Sequence, residues 1–153
     1  MSSHPAHDFG VLLNLAFAAF RQALDADLAA AGYDDIGSSF GYVFRRLADG
    51  PCSLSELAQE LAMTPPGALK VVDDMVAKGY VQRSVDAADR RVKQLHLTER
   101  GQAALKRARQ FHQRYEQQLA RRLGAEPVAA ARAVLEAMVS GEEGARIRRP
   151  RPV

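Results

Sequence analysis

The stretch Asp86-Ala-Ala-Asp89-Arg90-Arg91 places two guanidinium groups beside two carboxylates, between two runs of β-forming residues. Guanidinium groups carried on a turn suit the minor groove of a duplex, where negative potential deepens as A·T tracts narrow it. An adjacent carboxylate such as Asp89 can hold one arginine extended through a bidentate pair. A second patch precedes it. From Thr64 the chain reads Thr-Pro-Pro-Gly-Ala-Leu-Lys, the opening of a helix capped by Thr64 with proline at its first position. Ala68, Val71, Val72 and Met75 form its core stripe, so Pro66, Gly67, Lys70 and Asp74 point outward with Leu69 on the margin. A helix of this size fits the major groove, about 12 Å wide, with its leading residues at base edges. Lys70 is the groove or phosphate contact. Ser53, Ser55 and Thr64 stand at two helix starts, where hydroxyls and free amides can hold a phosphate. Ser53 and Thr64 are also fully explained as caps.

These residues need elements to hold them. Ser53-Leu-Ser-Glu56 has the capping-box pattern and starts a short helix to about Leu61, burying Leu54, Leu57, Ala58 and Leu61. Ala62–Met63 turns the chain into the helix from Thr64, which Lys78 and Gly79 close. Tyr80–Val85 and Val92–Leu97 then read as a hairpin with a cationic tip. Two short helices and a hairpin make a helix-turn-helix with a wing. In isolation the tip would read as a self-neutralised surface turn; behind a capped helix-turn-helix it reads as a nucleic-acid contact.

The flanks are helical. Phe9–Ala31 repeats Phe9, Leu13, Phe17, Phe20, Leu24 and Leu28 at three- and four-residue steps, and Val11, Leu12 and Leu15 make its first half apolar nearly all round. Such a helix needs more than one neighbour, and a second copy of the chain is the economical source. Gly32 ends it. Ile36, Phe40, Val43, Phe44 and Leu47 face the core from the next helix, which Asp49-Gly-Pro51 stops. Thr98 caps a helix to about Leu123, roughly 37 Å long at 1.5 Å per residue. Gly124 breaks it, and Pro127–Val139 forms the last helix. Residues 141–153 read as a mobile basic tail.

Composition narrows the function. The 153 residues are 47% hydrophobic and 25% charged, with one cysteine, which excludes wholesale disorder and a disulfide scaffold. The longest apolar stretch, from Gly10 to Phe20, is too short for a membrane span, and no cationic run precedes it, so a cytoplasmic protein without membrane contact is expected. The net charge of +3 is unevenly spread: residues 1–63 carry −5, residues 64–107 carry +4 and residues 108–153 carry +4. An acidic front and a basic remainder suit a localised surface for a polyanion. There is no glycine-rich phosphate loop and no nucleophile–His–acid arrangement, so an enzyme is not expected. His4-Pro-Ala-His7-Asp8 has no matching His/Cys cluster, and neither metal nor cofactor is expected.

Leu57-Ala58, Leu61-Ala62, Lys78-Gly79-Tyr80-Val81, Arg83, and Asp89-Arg90-Arg91 followed by Leu95-His-Leu-Thr-Glu-Arg-Gly101 resemble the MarR family of winged-helix transcriptional regulators. The match is tight from Ser53 to Leu105, and the order of flanking helices is similar. The resemblance implies a mainly α, α+β fold: an N-terminal dimerisation helix (1–34), a winged helix-turn-helix (35–98) and C-terminal dimerisation helices (99–140). It also implies a homodimer on a pseudo-palindromic double-stranded operator, acting as a ligand-responsive repressor with a small aromatic or anionic effector. DNA contacts are then expected from Ser53, Ser55, Thr64, Pro66, Gly67, Lys70, Arg83, Asp89, Arg90, Arg91 and Lys93. Phe40, Phe44, Arg45, Phe111, His112 and Tyr115 are candidates for an effector cleft, with core packing the alternative for the aromatics.

The sequence departs from the family in two places. Pro65-Pro66-Gly67 supplies no side-chain donor where Arg, Thr or Ser is common, and Asp73-Asp74 puts negative charge where a base is common. Few base-specific hydrogen bonds are therefore expected, with Lys70, Thr64 and DNA shape carrying selectivity. The same features suit the alternative of a winged-helix module that binds protein. The cysteine of the peroxide-sensing branch is missing from the first helix; Cys52 precedes a different helix and is expected to be inert.

Overall fold

The computed structural model describes residues 7–85 and 87–140. Asp86, the 141–153 tail and the His4 end of the metal candidate lie outside them. The chain divides between Ile36 and Gly37 into two compact units.

The first unit is built on α1 (Phe9–Ala30). Gly32, at φ +87°, closes it in the left-handed conformation, and the Tyr33 N–H returns to the Leu28 carbonyl at 2.9 Å. The expected stripe is covered only at its end: Leu24 and Leu28 are buried, whereas Phe9 and Phe17 are 61% and 67% exposed. Val11, Leu12 and Leu15 are exposed as well.

The second unit begins with α2 (Phe40–Ala48), whose buried Phe40, Val43, Phe44 and Leu47 recur at helical spacing. Ile36, expected in that stripe, precedes the helix. Next come β1 (Cys52–Ser53), α3 (Leu54–Glu60), α4 (Pro65–Ala77), β2 (Val81–Val85), β3 (Lys93–Leu97), α5 (Glu99–Leu123) and α6 (Ala125–Val139). The sheet has three antiparallel strands in the order β1-β3-β2, not the two of the expected hairpin. Cys52 pairs with Leu95 and Ser53 with Gln94, while β2 runs against β3 from Val81–Leu97 to Val85–Lys93. Two residues are too few to show period-two alternation, which is why β1 is silent in the sequence. The last helix starts at Ala125, two residues before the expected Pro127, because a helix's first turn has no intrahelical use for the proline N–H.

The expected caps form. Ser53 Oγ accepts from the Glu56 N–H at 3.2 Å and the Glu56 carboxylate accepts from the Ser53 N–H at 2.7 Å. Of the residues expected to be buried by α3, Leu57 and Ala58 are, and Leu54 and Leu61 are half-buried. The α3–α4 turn passes through Ala62 at φ +49°, a left-handed conformation that side chains other than glycine adopt at a cost.

Tyr80, fully buried, is the hub of the core. Its ring meets those of Phe40 and Phe44 edge-on at 6.0 and 5.6 Å, and the Arg100 guanidinium lies 4.7 Å over it. The Thr98-Glu-Arg-Gly101 string ties α5 to this hub. Thr98 Oγ1 donates to the Gly79 carbonyl at 2.5 Å and accepts from the Gly101 N–H at 3.0 Å, and the Thr98 N–H bonds the Tyr80 carbonyl at 3.0 Å. A Cβ at Gly101 would stand 2.2 Å from the Tyr80 carbonyl oxygen, so only glycine lets α5 lie this close. α5 packs on α6, where Arg132 pairs with Glu116. Val134, Leu135, Met138 and Val139 of α6 are exposed.

Candidate nucleic-acid interface

α4 presents one face to its own domain and the other outward. Ala68, Val72 and Met75 are buried, Val71 is half-buried, and Pro66, Leu69, Lys70, Asp73 and Asp74 are exposed. Gly67 is partly covered. The cap at its start is complete: Thr64 Oγ1 accepts from the Gly67 N–H at 3.2 Å, and the Thr64 carbonyl accepts from the Ala68 N–H at 2.9 Å. Pro65 and Pro66 have no N–H. The first turn of α4 therefore keeps no free amide for a phosphate, contrary to the expectation for that helix start.

The acidic pair is neutralised inside the domain. Asp73 accepts from Arg83 of β2 at 2.5 Å, and Asp74 accepts from Lys78 at 2.9 Å, one turn further along. Arg83 is thus bound to α4 rather than presented free. Lys70 has no ion pair among the described residues.

The wing tip is a β-turn over Asp89–Val92, closed by the Val92 N–H on the Asp89 carbonyl at 3.0 Å. Asp89 Oδ1 accepts from the Arg91 backbone N–H at 2.9 Å. The carboxylate shapes the turn through the backbone, as an Asx-turn does. Arg90 and Arg91 occupy the two central corners, exposed and without an ion pair among the described residues. Ser84 and His96 bond across the strands behind them.

Between α4 and the wing runs a groove of about 520 Å³ lined by Ser53, Leu54, Leu69, Asp73, Arg83, Arg91, Val92, Lys93 and Leu95. Four of the expected DNA contacts, Ser53, Arg83, Arg91 and Lys93, come together there. Thr64, Pro66, Gly67 and Lys70 follow one another along the start of α4; Asp89 and Arg90 form the tip; and Ser55 stands exposed in the first turn of α3. Leu69 reads as marginal from helical spacing alone, and no local pattern connects Asp73 to Arg83, ten positions away.

The six effector candidates lie on α2 and α5, which pack on each other. Phe40 and Phe44 are packed against Tyr80 in the core. Phe111 is buried beside His112 and Tyr115, with ring centroids 6.3 and 5.5 Å away. Burial and, secondarily, the charge of Arg45 lower the His112 pKa. None of the six borders the larger cleft of about 630 Å³, whose lining includes Leu47, Pro51, His96, Leu97, Gln102, Leu105, Lys106 and Arg109. Cys52 is buried in β1, and desolvation raises its thiol pKa against the opposing pull of Arg46. Among the described residues no helix is long and apolar enough to cross a membrane.

The family whose model matches this chain, over residues 41–92, is the MarR family. No curated protein matches. Solved structures do. A Staphylococcus aureus MepR variant bound to an oligodeoxyribonucleotide is 25% identical, with a TM-score of 0.62 over 88% of this chain and 97% of that one. Streptococcus pneumoniae FabT in complex with DNA is 21% identical, with a TM-score of 0.68 over 87% and 96%. YusO of Bacillus subtilis is 18% identical, with a TM-score of 0.68 over 88% and 94%. The latter two likenesses are of fold.

Proposed function

We propose that this chain, which matches the MarR family model over residues 41–92 and shares its fold with solved MarR-type structures, is a regulator of that family and a sequence-specific transcriptional repressor. It acts as a homodimer on a pseudo-palindromic operator. The observation that carries this reading is the shared outward presentation of α4 and of the Arg90–Arg91 turn, on either side of one groove. Lys70 and Pro66 on α4 meet the major groove; Arg90 and Arg91 meet the minor groove; Ser53, Ser55, Thr64 and Lys93 lie toward the backbone phosphates. DNA bound to the MepR and FabT relatives supports a duplex as the partner. The regulator fold carries no indication of an enzyme family.

Dimerisation is supported by apolar surface. Phe9, Val11, Leu12, Leu15 and Phe17 of α1, and Val134, Leu135, Met138 and Val139 of α6, are each more than two-fifths exposed. Stretches of this kind mark surfaces that another chain covers. A small aromatic or anionic effector suits the 630 Å³ cleft, with Leu47, Leu97 and Leu105 for a ring and Lys106 and Arg109 for an anion.

Titration of the protein against a fragment of its own promoter and a scrambled fragment, over a range of salt, tests the reading. Preference for the promoter with a steep fall in affinity as salt rises is expected, since phosphate contacts release counterions. Salt-independent or absent DNA binding would leave the protein-interaction module, which the donor-free start of α4 favours.

A further inference from the structure

On the reading above, α4 enters the major groove with almost no hydrogen-bonding chemistry in its first two turns. Pro65 and Pro66 lack an N–H, and the amides of Gly67 and Ala68 are both taken by Thr64. Farther along the same face, Asp73 is held by Arg83 and Asp74 by Lys78. Pro66, Leu69 and Lys70 remain, at i, i+3 and i+4 on one exposed stripe. Lysine is a point charge without the fork geometry that reads two atoms of one base. Leu69 is 42% exposed and lines the groove wall together with Leu54, Val92 and Leu95.

An apolar side chain in the major groove has one feature to recognise, the 5-methyl group of thymine. We infer that Leu69, flanked by Pro66, reads thymine methyls in each operator half-site, with Lys70 supplying the adjacent polar or phosphate contact. The inference rests on the proposed DNA-binding function and names the base chemistry that function would use. It also gives the donor-poor start of α4 a role: with no fork to satisfy, the helix can approach base edges closely enough for van der Waals contact.

The probe is the promoter fragment protected by the protein, synthesised with deoxyuridine in place of thymidine. The substitution removes each methyl and leaves every hydrogen-bonding edge as it was. Burying one methyl is worth about a fourfold change in affinity, so the wild type should bind the deoxyuridine duplex at least about fourfold more weakly per half-site. Leu69→Ala should bind the thymidine duplex correspondingly more weakly and no longer distinguish the two duplexes, whereas Leu69→Met should still distinguish them. Equal binding of both duplexes by the wild type, with preference for promoter over scrambled DNA intact, overturns the inference and leaves the proposed function standing. Retained discrimination in Leu69→Ala also overturns it. If promoter and scrambled fragments bind alike, the proposed function and the inference fall together.

Discussion

The Asp73 carboxylate and the Arg83 guanidinium meet at 2.5 Å, joining the outer face of α4 to the first strand of the wing. Both side chains are partly exposed, so the pair adds little to stability, under about 1 kcal/mol. On the proposed function its consequence is for binding: it ties α4 to β2 and occupies a cation that a phosphate would otherwise take. Asp73→Asn should therefore release Arg83, tighten non-specific DNA binding and steepen the dependence of log affinity on log salt by about one. Salt titrations of wild type and variant on scrambled DNA check this; an unchanged slope would mean that Arg83 does not turn to the duplex.

Arg90 and Arg91 sit at the two corners of the tip with no ion pair among the described residues. Each Ala substitution should weaken promoter binding by about 1–3 kcal/mol where the side chain reads a groove, and otherwise mainly lower the salt slope by about one. Asp89→Ala should also weaken binding although it removes a negative charge, because Asp89 accepts from the Arg91 N–H and sets the turn. Tighter binding by Asp89→Ala would show that charge at the tip outweighs its shape.

Gly101 offers a stability test. With only 2.2 Å between an added Cβ and the Tyr80 carbonyl oxygen, Gly101→Ala must push α5 off the hub, at a cost of about 2–3 kcal/mol in urea unfolding. At the α3–α4 turn the direction reverses. Ala62→Gly relieves a left-handed alanine and should stabilise the fold by about 0.5–1 kcal/mol, the relief outweighing glycine's greater freedom when unfolded. Destabilisation by Ala62→Gly would mean that the turn carries no strain.

His112 gives a pH dependence with a definite sign. Burial first, and Arg45 second, hold its pKa below the ordinary imidazole value, so the folded chain favours the neutral ring. The unfolded chain then binds the extra proton sooner. Stability from this site is fully present above the unfolded pKa, about 6.5, and declines as pH falls below it. Urea midpoints at about pH 7.5 and 5.5 should differ less in His112→Gln than in wild type; an equal difference would remove His112 from the pH response.

What the sequence shows in advance is mostly local. The Ser53–Glu56 box, the Thr64–Pro65 start and the Thr98 cap are each written within four residues, and they form as read. The winged helix-turn-helix follows from them because strong caps and a β-rich hairpin leave few other arrangements. Contacts distant in sequence are not legible in this way. Asp73 meets Arg83, Arg46 meets Glu60, and Cys52 pairs with Leu95 only once the domain has closed. Phe40 and Phe44 show the other limit: an aromatic at helical spacing reads the same whether it lines a cleft or fills a core, and here both pack on Tyr80. Asp89 is legible as a partner of the tip, but whether it bonds a guanidinium or a backbone amide depends on turn geometry.

Hydroxyl-radical footprinting of the promoter fragment, with the mass of the complex measured on the same sample, decides whether a pair of chains holds one operator. Two chains per duplex and two protected half-sites one helical turn apart, about 34 Å between centres, are expected. A single protected half-site with one chain bound, or uniform protection of promoter and scrambled DNA at physiological salt, would contradict this.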